Sequence, residues 1–151
     1  MAGQRTGYSL AEMIVVVLII GALACIAVPR LNLAALYHKD AHTVAKTIVT
    51  DLRRTRTLAI SYAANNTVGY RLQMVGSSPY TSYNIVDINS GSAVDTLTID
   101  SPVSCTGGVA FRFGPLGNLL SGSGTTISIS AGGKTYTITV ISATGIVQCG
   151  G

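Results

Sequence analysis

The feature that most constrains this chain is an apolar run near its N-terminus, residues 8–28, whose only charged side chain is Glu12. A helix over this run would be about 31 Å long at 1.5 Å per residue, enough to cross the hydrocarbon core of a bilayer. The run therefore predicts a single membrane-spanning helix. A carboxylate within such a segment costs a few kcal/mol even on the mildest insertion scale. Glu12 consequently requires a specific partner.

The remainder of the chain has the composition of one soluble domain. The protein has 151 residues, a formal net charge of +4 and a mean hydropathy of +0.47. This length suits a single domain, and a charge of this size does not by itself indicate a nucleic-acid partner. The sequence contains no nucleophile elbow, phosphate-binding loop or paired-carboxylate motif. We therefore expect neither enzymatic activity nor a cofactor.

Residues 30–64 have the spacing of an amphipathic helix. Apolar or small residues recur every three or four positions, at Ala41, Val44, Ala45, Ile48, Val49, Leu52, Thr55, Leu58, Ala59, Tyr62 and Ala63. No glycine occurs between Gly21 and Gly69. We predict one long helix over residues 9–64, apolar in its first half and amphipathic in its second, with a kink near Pro29.

Residues 65–151 are rich in glycine, serine and threonine and poor in charge, which favours β-structure. Strand-like runs 83–88 and 94–99 flank a turn at 89–92, and runs 126–130 and 135–141 flank Gly132-Gly133, a strong hairpin signal. Further strands are predicted at 67–74, 109–113 and 146–148. The expected fold class is α+β, with the amphipathic helix packed on one small antiparallel sheet.

Two of the three cysteines, Cys105 and Cys149, lie in the soluble part, whereas Cys25 lies in the apolar run. An even number of cysteines in an exported domain predicts a Cys105–Cys149 disulfide. The alternative is a pair of free buried thiols.

The N-terminal residues resemble those of the type IV pilin-like proteins. A short polar leader, residues 1–7, ends in Gly7; an aromatic residue, Tyr8, follows; and Glu12 and Pro29 stand five and twenty-two positions into the chain that begins at Tyr8. The resemblance implies that a prepilin peptidase cuts after Gly7 and methylates the new N-terminus. Tyr8 stands where the family usually has phenylalanine.

This resemblance also supplies a partner for Glu12. A free amine on Tyr8 and the carboxylate of Glu12 in a neighbouring subunit would offset each other's burial when the helices pack into a filament core. Residues 8–29 would then form a membrane and assembly helix, with Glu12 and Pro29 as assembly residues. The implied location is the bacterial inner membrane, single-pass, with the C-terminal domain in the periplasm or on an extracellular filament.

Other interpretations of the same segment exist. Ala22-Leu23-Ala24 is an A-x-A site of the kind found in secretory signal peptides. With Cys25 next in the chain, it also partly matches a lipoprotein signal. A third alternative is an ordinary single-span anchor. None of these gives Glu12 a function.

Later motifs narrow the resemblance. Residues 51–60, Asp-Leu-Arg-Arg-Thr-Arg-Thr-Leu-Ala-Ile, are similar to a helix motif of the GspH/FimT-type minor pseudopilins and pilins, with Thr55 in place of the usual alanine. Residues 113–117 resemble their F-x-P-x-G turn, and residues 145–147 their terminal G-x-V strand. The resemblance implies a minor pseudopilin of a type II secretion or type IV pilus-like filament, with other pilin-like subunits as partners. The alternatives are a DNA-binding minor pilin of a DNA-uptake pilus and a major pilin of an adhesive or motility fibre.

The helix motif contains three arginines, Arg53, Arg54 and Arg56, which could form a nucleic-acid patch. Arg53 and Arg56 share a face, but no aromatic residue lies between them, so a solvated helix face or a subunit contact is the favoured interpretation.

Metal binding is not expected. His38 and His42 have a spacing that can place two imidazoles on one metal, but a third ligand is missing. Three aspartates are calcium candidates only by analogy with other pseudopilins and lack a loop signature: Asp87, Asp95 and Asp100.

Overall fold

The protein is described here from a computed structural model, and the described residues are 7–27, 33–99, 102–122 and 126–151. The chain divides into two compact units, Met1–Leu33 and Ala34–Gly151. The first contains an apolar helix. The second contains most of an amphipathic helix together with all of the strands.

The apolar helix, α1, spans Leu10–Ala27. Ser9 caps its N-terminus: the backbone N–H of Glu12 lies 3.3 Å from the Ser9 hydroxyl oxygen and 3.0 Å from the Ser9 carbonyl oxygen. Glu12 sits in the first turn, where the helix dipole favours a negative charge. From Leu10 to Leu23 the large apolar side chains are 45–79% exposed. These side chains surround the helix, so α1 has no single face to bury.

No helix among the described residues combines the length and hydropathy that a membrane crossing requires. The predicted leader, 1–7, includes residues 1–6, and the predicted kink at Pro29 falls on residues 28–32; both of these segments lie outside the described residues.

The amphipathic helix, α2, spans Leu33–Ser61. Its buried face consists of residues spaced three or four apart, namely Ala41, Ala45, Ile48, Val49, Leu52, Thr55 and Ala59. These positions belong to the apolar face predicted from the sequence. The helix ends three residues earlier than predicted. The N–H groups of Asn65 and Asn66 both turn back to the carbonyl of Tyr62, at 3.0 and 2.8 Å, and so close the last turn.

Nine strands follow in the part of the chain that is described: β1 (Tyr70–Val75), β2 (Ser82–Asp87), β3 (Ala93–Thr98), β4 (Ser104–Gly107), β5 (Ala110–Phe113), β6 (Leu119–Ser121), β7 (Thr126–Ala131), β8 (Lys134–Val140) and β9 (Val147–Gly150). They form a five-stranded sheet with the order β3-β2-β1-β5-β6 and a four-stranded sheet with the order β4-β7-β8-β9. Every pairing within them is antiparallel.

Both predicted hairpins are confirmed, as β2–β3 and β7–β8. The expectation of one small sheet is wrong, because there are two. The short strands β4 and β6 were not predicted from the sequence, since four and three residues carry too little alternation to be recognised. The sheets are joined at an isolated bridge, where the N–H of Tyr80 donates to the carbonyl of Cys105 at 2.7 Å.

The hydrophobic core lies between α2 and the inner faces of both sheets. Ile48 and Leu52 of α2 are fully buried, as are Phe111 of the five-stranded sheet and Ile129 of the four-stranded sheet. Burial of each of these apolar side chains contributes about 1.5–3 kcal/mol to the stability of the fold. One helix therefore covers two sheets, and the predicted packing of the amphipathic helix on antiparallel β-structure is confirmed.

A charged residue lies within this helix–sheet contact. Asp51 of α2 is only 7% exposed, and the hydroxyl of Tyr83 on β2 donates to its Oδ2 at 2.6 Å. Burial of the Tyr83 phenol, followed by its hydrogen bond to Asp51 and the charge of that carboxylate, raises the pKa of Tyr83 well above its usual range. The neutral phenol therefore holds a buried carboxylate in place.

We predict that Tyr83→Phe lowers the free energy of unfolding by about 1–3 kcal/mol at pH 7, because it leaves the buried carboxylate of Asp51 without its donor. The raised pKa of Tyr83 adds a pH dependence. Stabilisation by the phenol is complete below its unfolded pKa of about 10 and is lost at higher pH, by at most about 1.4 kcal/mol per pH unit. Denaturant unfolding should show that the difference in free energy of unfolding between wild type and Tyr83→Phe becomes smaller above pH 10. A gap that is constant with pH would contradict this account.

Candidate functional site

The predicted processing residues lie at an accessible end of the chain. Gly7 is exposed and has open space around it, and Tyr8 is 81% exposed. Both precede the first turn of α1, in which Glu12 is exposed. The structure therefore describes both residues of the predicted cleavage bond as exposed. The other predicted assembly residue, Pro29, lies outside the described residues.

Three motifs that are far apart in the sequence meet at one point of the second unit. Nε of Arg56, from the α2 motif, donates to the carbonyl of Gly117, in the turn motif, at 2.9 Å. Nη2 of Arg53 lies 3.5 Å from the carbonyl of Val147, in the terminal motif. Gly145 packs directly against the Gly117 carbonyl. We call these five residues the motif junction: Arg53, Arg56, Gly117, Gly145 and Val147. The junction holds α2 against the loops that lead into β6 and β9.

The two glycines of the junction are required by the backbone. Gly117 has φ +76° and Gly145 has φ +66°, in the left-handed region that other residues rarely adopt. A Cβ on Gly145 would overlap the carbonyl oxygen of Gly117 and press on Arg56. The F-x-P-x-G and G-x-V patterns thus have a shared physical cause, which is the close approach of their glycines beneath Arg56.

Thr55, which replaces the usual alanine of the helix motif, is accommodated without an unpaired polar group. It is fully buried, and its hydroxyl donates to the carbonyl of Asp51 at 2.6 Å.

The predicted arginine patch is divided between two sides of α2. Arg53 and Arg56 belong to the motif junction, whereas Arg54 pairs with Asp95 of β3, with 2.7 Å between Nη1 and Oδ2. The hydrogen bond from Arg54 holds the pKa of Asp95 below its usual value. All three arginines therefore have acceptors inside the chain, and they connect α2 with both sheets.

Two of the three calcium candidates have hydrogen-bond partners within the chain, and the third lies outside the described residues. Asp95 pairs with Arg54. Oδ1 of Asp87 accepts from Nδ2 of Asn66 at 2.6 Å and from the N–H of Asn89 at 2.9 Å. Asp100 lies outside the described residues.

Asn66 is an organising residue that we did not predict from the sequence. It is 3% exposed, and its Oδ1 accepts from the N–H groups of Val68 and Gly69 at 3.1 and 2.7 Å. The available signal was the Asn65-Asn66 pair directly after the predicted helix, because asparagine side chains commonly close turns on their own backbone.

The two histidines do not form a metal site with other described residues. The ring of His42 packs against that of Tyr136 at 5.5 Å between centroids, and His38 is partly buried. Within the described ranges, no group of three or more His, Cys, Asp or Glu side chains could hold a metal ion.

The predicted Cys105–Cys149 disulfide is not present, because both thiols are free. Cys105 is buried on β4 and Cys149 is exposed on β9, at opposite edges of the four-stranded sheet. Three strand spacings of about 4.8 Å separate these edges, so the two Cα atoms are roughly 14 Å apart or more, beyond the reach of a disulfide. An even cysteine count carries no information about sheet order, which is why the expectation failed.

The comparisons with known proteins identify the fold. No family model matches the chain, and no curated protein matches it in sequence. Among solved structures, the type IV minor pilin FimU of Pseudomonas aeruginosa matches in two crystal forms. The first has a TM-score of 0.62 at 16% identity, and the match covers 76% of this chain and 90% of the FimU chain in that crystal structure. The second has a TM-score of 0.59 at 16% identity, with coverages of 73% and 92%.

This chain has a type IV pilin-like fold. The predicted fold class is thereby confirmed, and the resemblance stated from Gly7, Glu12 and the later motifs is supported at the level of fold. At 16% identity the likeness concerns the fold alone. The functional assignment of this pilin-like chain depends on its own residues.

In the pilin-like fold, we predict that Gly145→Ala lowers the free energy of unfolding by about 1–3 kcal/mol. The added Cβ combines backbone strain with overlap at the Gly117 carbonyl. Gly133→Ala is the matched control, since Gly133 also has a positive φ, +86°, but open space around it. Denaturant unfolding should give the larger loss for Gly145→Ala. Equal losses would show that backbone strain alone matters and that the junction contact does not.

We predict that iodoacetamide at pH 8 modifies Cys149 and not Cys105 in the folded protein, on a Cys25→Ala background. Burial raises the pKa of the Cys105 thiol to about 11, so it is both inaccessible and protonated. Mass spectrometry should find one modification in native protein and two after denaturation without reductant. If neither cysteine reacts until a reductant is added, Cys105 and Cys149 form a disulfide and the free thiols described here are contradicted.

Proposed function

We propose that this chain is a minor pseudopilin, a structural subunit of a type II secretion or type IV pilus-like filament. The observation that carries the proposal is the combination of a pilin-like fold with an N-terminal helix whose large apolar side chains, from Leu10 to Leu23, are exposed. A helix that is apolar on all sides is normally buried, in a membrane or among other helices. A pilin-like subunit would meet both environments, because its helix would lie first in the membrane and then in a filament core built from such helices.

The proposed maturation is cleavage by a prepilin peptidase between Gly7 and Tyr8, followed by methylation of the Tyr8 amine. Exposure of both residues ahead of the first helical turn supports it. The new N-terminus would then begin two residues before α1, whose first residue is Leu10.

In the proposed assembly, the carboxylate of Glu12 pairs with the Tyr8 amine of a neighbouring subunit. Glu12 is exposed in the single chain, so its carboxylate is free to take an intermolecular partner. Packing of apolar helices would bury both charges, and their pairing would offset a desolvation cost that neither could bear alone. The pair would thereby set the register between adjacent subunits.

The proposed location is the bacterial inner membrane, with residues 8–29 as the anchor and the second unit in the periplasm or on the filament. The apolar run of residues 8–28 supports it. The partners would be other pilin-like subunits and the prepilin peptidase.

The arginines favour this structural role over the DNA-binding alternative. Arg54 and Arg56 donate to acceptors inside the chain at 2.7 and 2.9 Å, so a phosphate backbone would have to compete with Asp95 and with the Gly117 carbonyl. Their positions account for their presence without nucleic acid.

The proposal predicts that Glu12→Ala leaves cleavage after Gly7 intact and strongly reduces incorporation into filaments. Leaving the buried amine of Tyr8 unpaired would cost about 3–5 kcal/mol per subunit. The measurement is the fraction of mature subunit in sheared filaments or cross-linked complexes from cells that carry the peptidase and the other subunits. Asp40→Ala is the matched control, because it removes an exposed carboxylate from α2. Normal incorporation of Glu12→Ala would contradict the pairing.

A further inference from the structure

The outer edge of β9 is open among the described residues, where the four-stranded sheet ends. The N–H of Ile141 donates to the carbonyl of Ile146 at 2.9 Å. This bond makes Val140 and Val147 a non-hydrogen-bonded pair of the antiparallel ladder. The backbone N–H and C=O of Val147 therefore point away from β8, and by the alternation of the ladder those of Cys149 do too. They are groups that an added strand would use.

Beside this edge, a groove runs between β9 and α2. It consists of two adjoining hollows of about 370 and 610 Å³, which share Arg53 and Cys149 in their linings. Ala45 and Val49 of α2 form an apolar, nearly buried floor. Cys149 is exposed although its ladder partner, Ile138, is fully buried on the inner face. The sheet thus stops one strand short of covering this side of α2.

The groove is positively charged. Lys46 and Arg53 line it, and His42 of α2 also lines the smaller hollow. Among the described residues, neither hollow is lined by an Asp or Glu. Lys46 is exposed, and Arg53 reaches only the Val147 carbonyl at 3.5 Å. An occupant with carboxylates would complement this charge.

The chemistry of the groove favours a peptide over a nucleic acid. None of the residues that line the two hollows is Phe, Tyr or Trp, and the ring of His42 already packs on Tyr136. Single-stranded nucleic acids are held by stacking on aromatic rings, whereas strand addition uses backbone groups of the kind that Val147 and Cys149 present.

The described part of a second copy of this chain offers the groove no free Asp or Glu side chain on an extended segment. Among the described carboxylates, those of Asp51, Asp87 and Asp95 are bonded within the chain. Glu12 and Asp40 lie in helices and cannot be added as a strand.

We propose that the groove between β9 and α2 binds an extended, acidic segment of a different protein, which adds to the sheet as a strand on β9. Alternate side chains of the segment would face α2 and place carboxylates at Lys46 and Arg53, as those of a Thr-Glu repeat can. The proposal depends on the groove alone and is independent of the filament role.

The test uses the full chain in detergent with Cys25→Ala and a fluorescein-labelled, end-blocked (Thr-Glu)4 peptide as the probe. The matched probes are (Thr-Lys)4, (Thr-Glu)4 with alternate backbone nitrogens methylated, and an eight-nucleotide oligothymidylate. Anisotropy measures binding, and the rate of Cys149 alkylation shows where the probe lies. We expect (Thr-Glu)4 alone to bind and to slow the alkylation of Cys149.

Lys46→Gln and Arg53→Gln should each weaken binding by about tenfold. Arg54→Gln is the matched control, since Arg54 follows Arg53 on α2 but faces β3. Lys46 has an exposed side chain, so its variant keeps the fold. The proposal is overturned if (Thr-Glu)4 does not bind or leaves the alkylation rate unchanged. It is also overturned if the methylated peptide or the oligonucleotide binds equally well, or if Arg54→Gln weakens binding as much as Arg53→Gln.

Discussion

The packing of α2 against both sheets is the interaction on which the rest of the second unit depends. Ile48 and Leu52 are fully buried in the same core as residues of the five-stranded and four-stranded sheets. Neither sheet has a second layer of its own among the described residues, and a sheet with an uncovered apolar face is not stable in water. The helix therefore covers the inner faces of both sheets, and its polar side chains fix its position. Asp51 accepts from Tyr83 of β2, and Arg54 pairs with Asp95 of β3. Arg53 and Arg56 hold the helix at the motif junction.

The two helices have opposite requirements. The apolar face of α2 from Ala41 to Ala59 is buried inside the chain, whereas the large apolar side chains of α1 from Leu10 to Leu23 are exposed. An apolar surface of this kind suits burial in lipid or among further helices, which is the association we propose for α1. In that proposal Glu12, at the start of α1, is the polar group that gives the apolar contact between subunits a defined register.

Much of this fold could be predicted from the sequence, because its signals are local. The three- and four-residue spacing from Ala41 to Ala59 predicted the buried face of α2, and Gly132-Gly133 predicted the β7–β8 hairpin. The features that were missed depend on long-range contacts. The division into two sheets is determined by which strands pair, and the Cys105–Cys149 expectation failed because those cysteines lie on opposite edges of one sheet. Likewise, no local pattern indicates that Tyr83 donates to Asp51, or that Gly117 and Gly145 meet beneath Arg56.

We propose above all that cutting the chain after Gly7 creates the amine that Glu12 requires. Mass spectrometry of the mature protein, purified from cells that contain a prepilin peptidase, tests this proposal most directly. We expect a chain that begins at Tyr8 with a methylated amino group. A mature chain that begins at Cys25, or one that retains residues 1–7 after exposure to the peptidase, would contradict it.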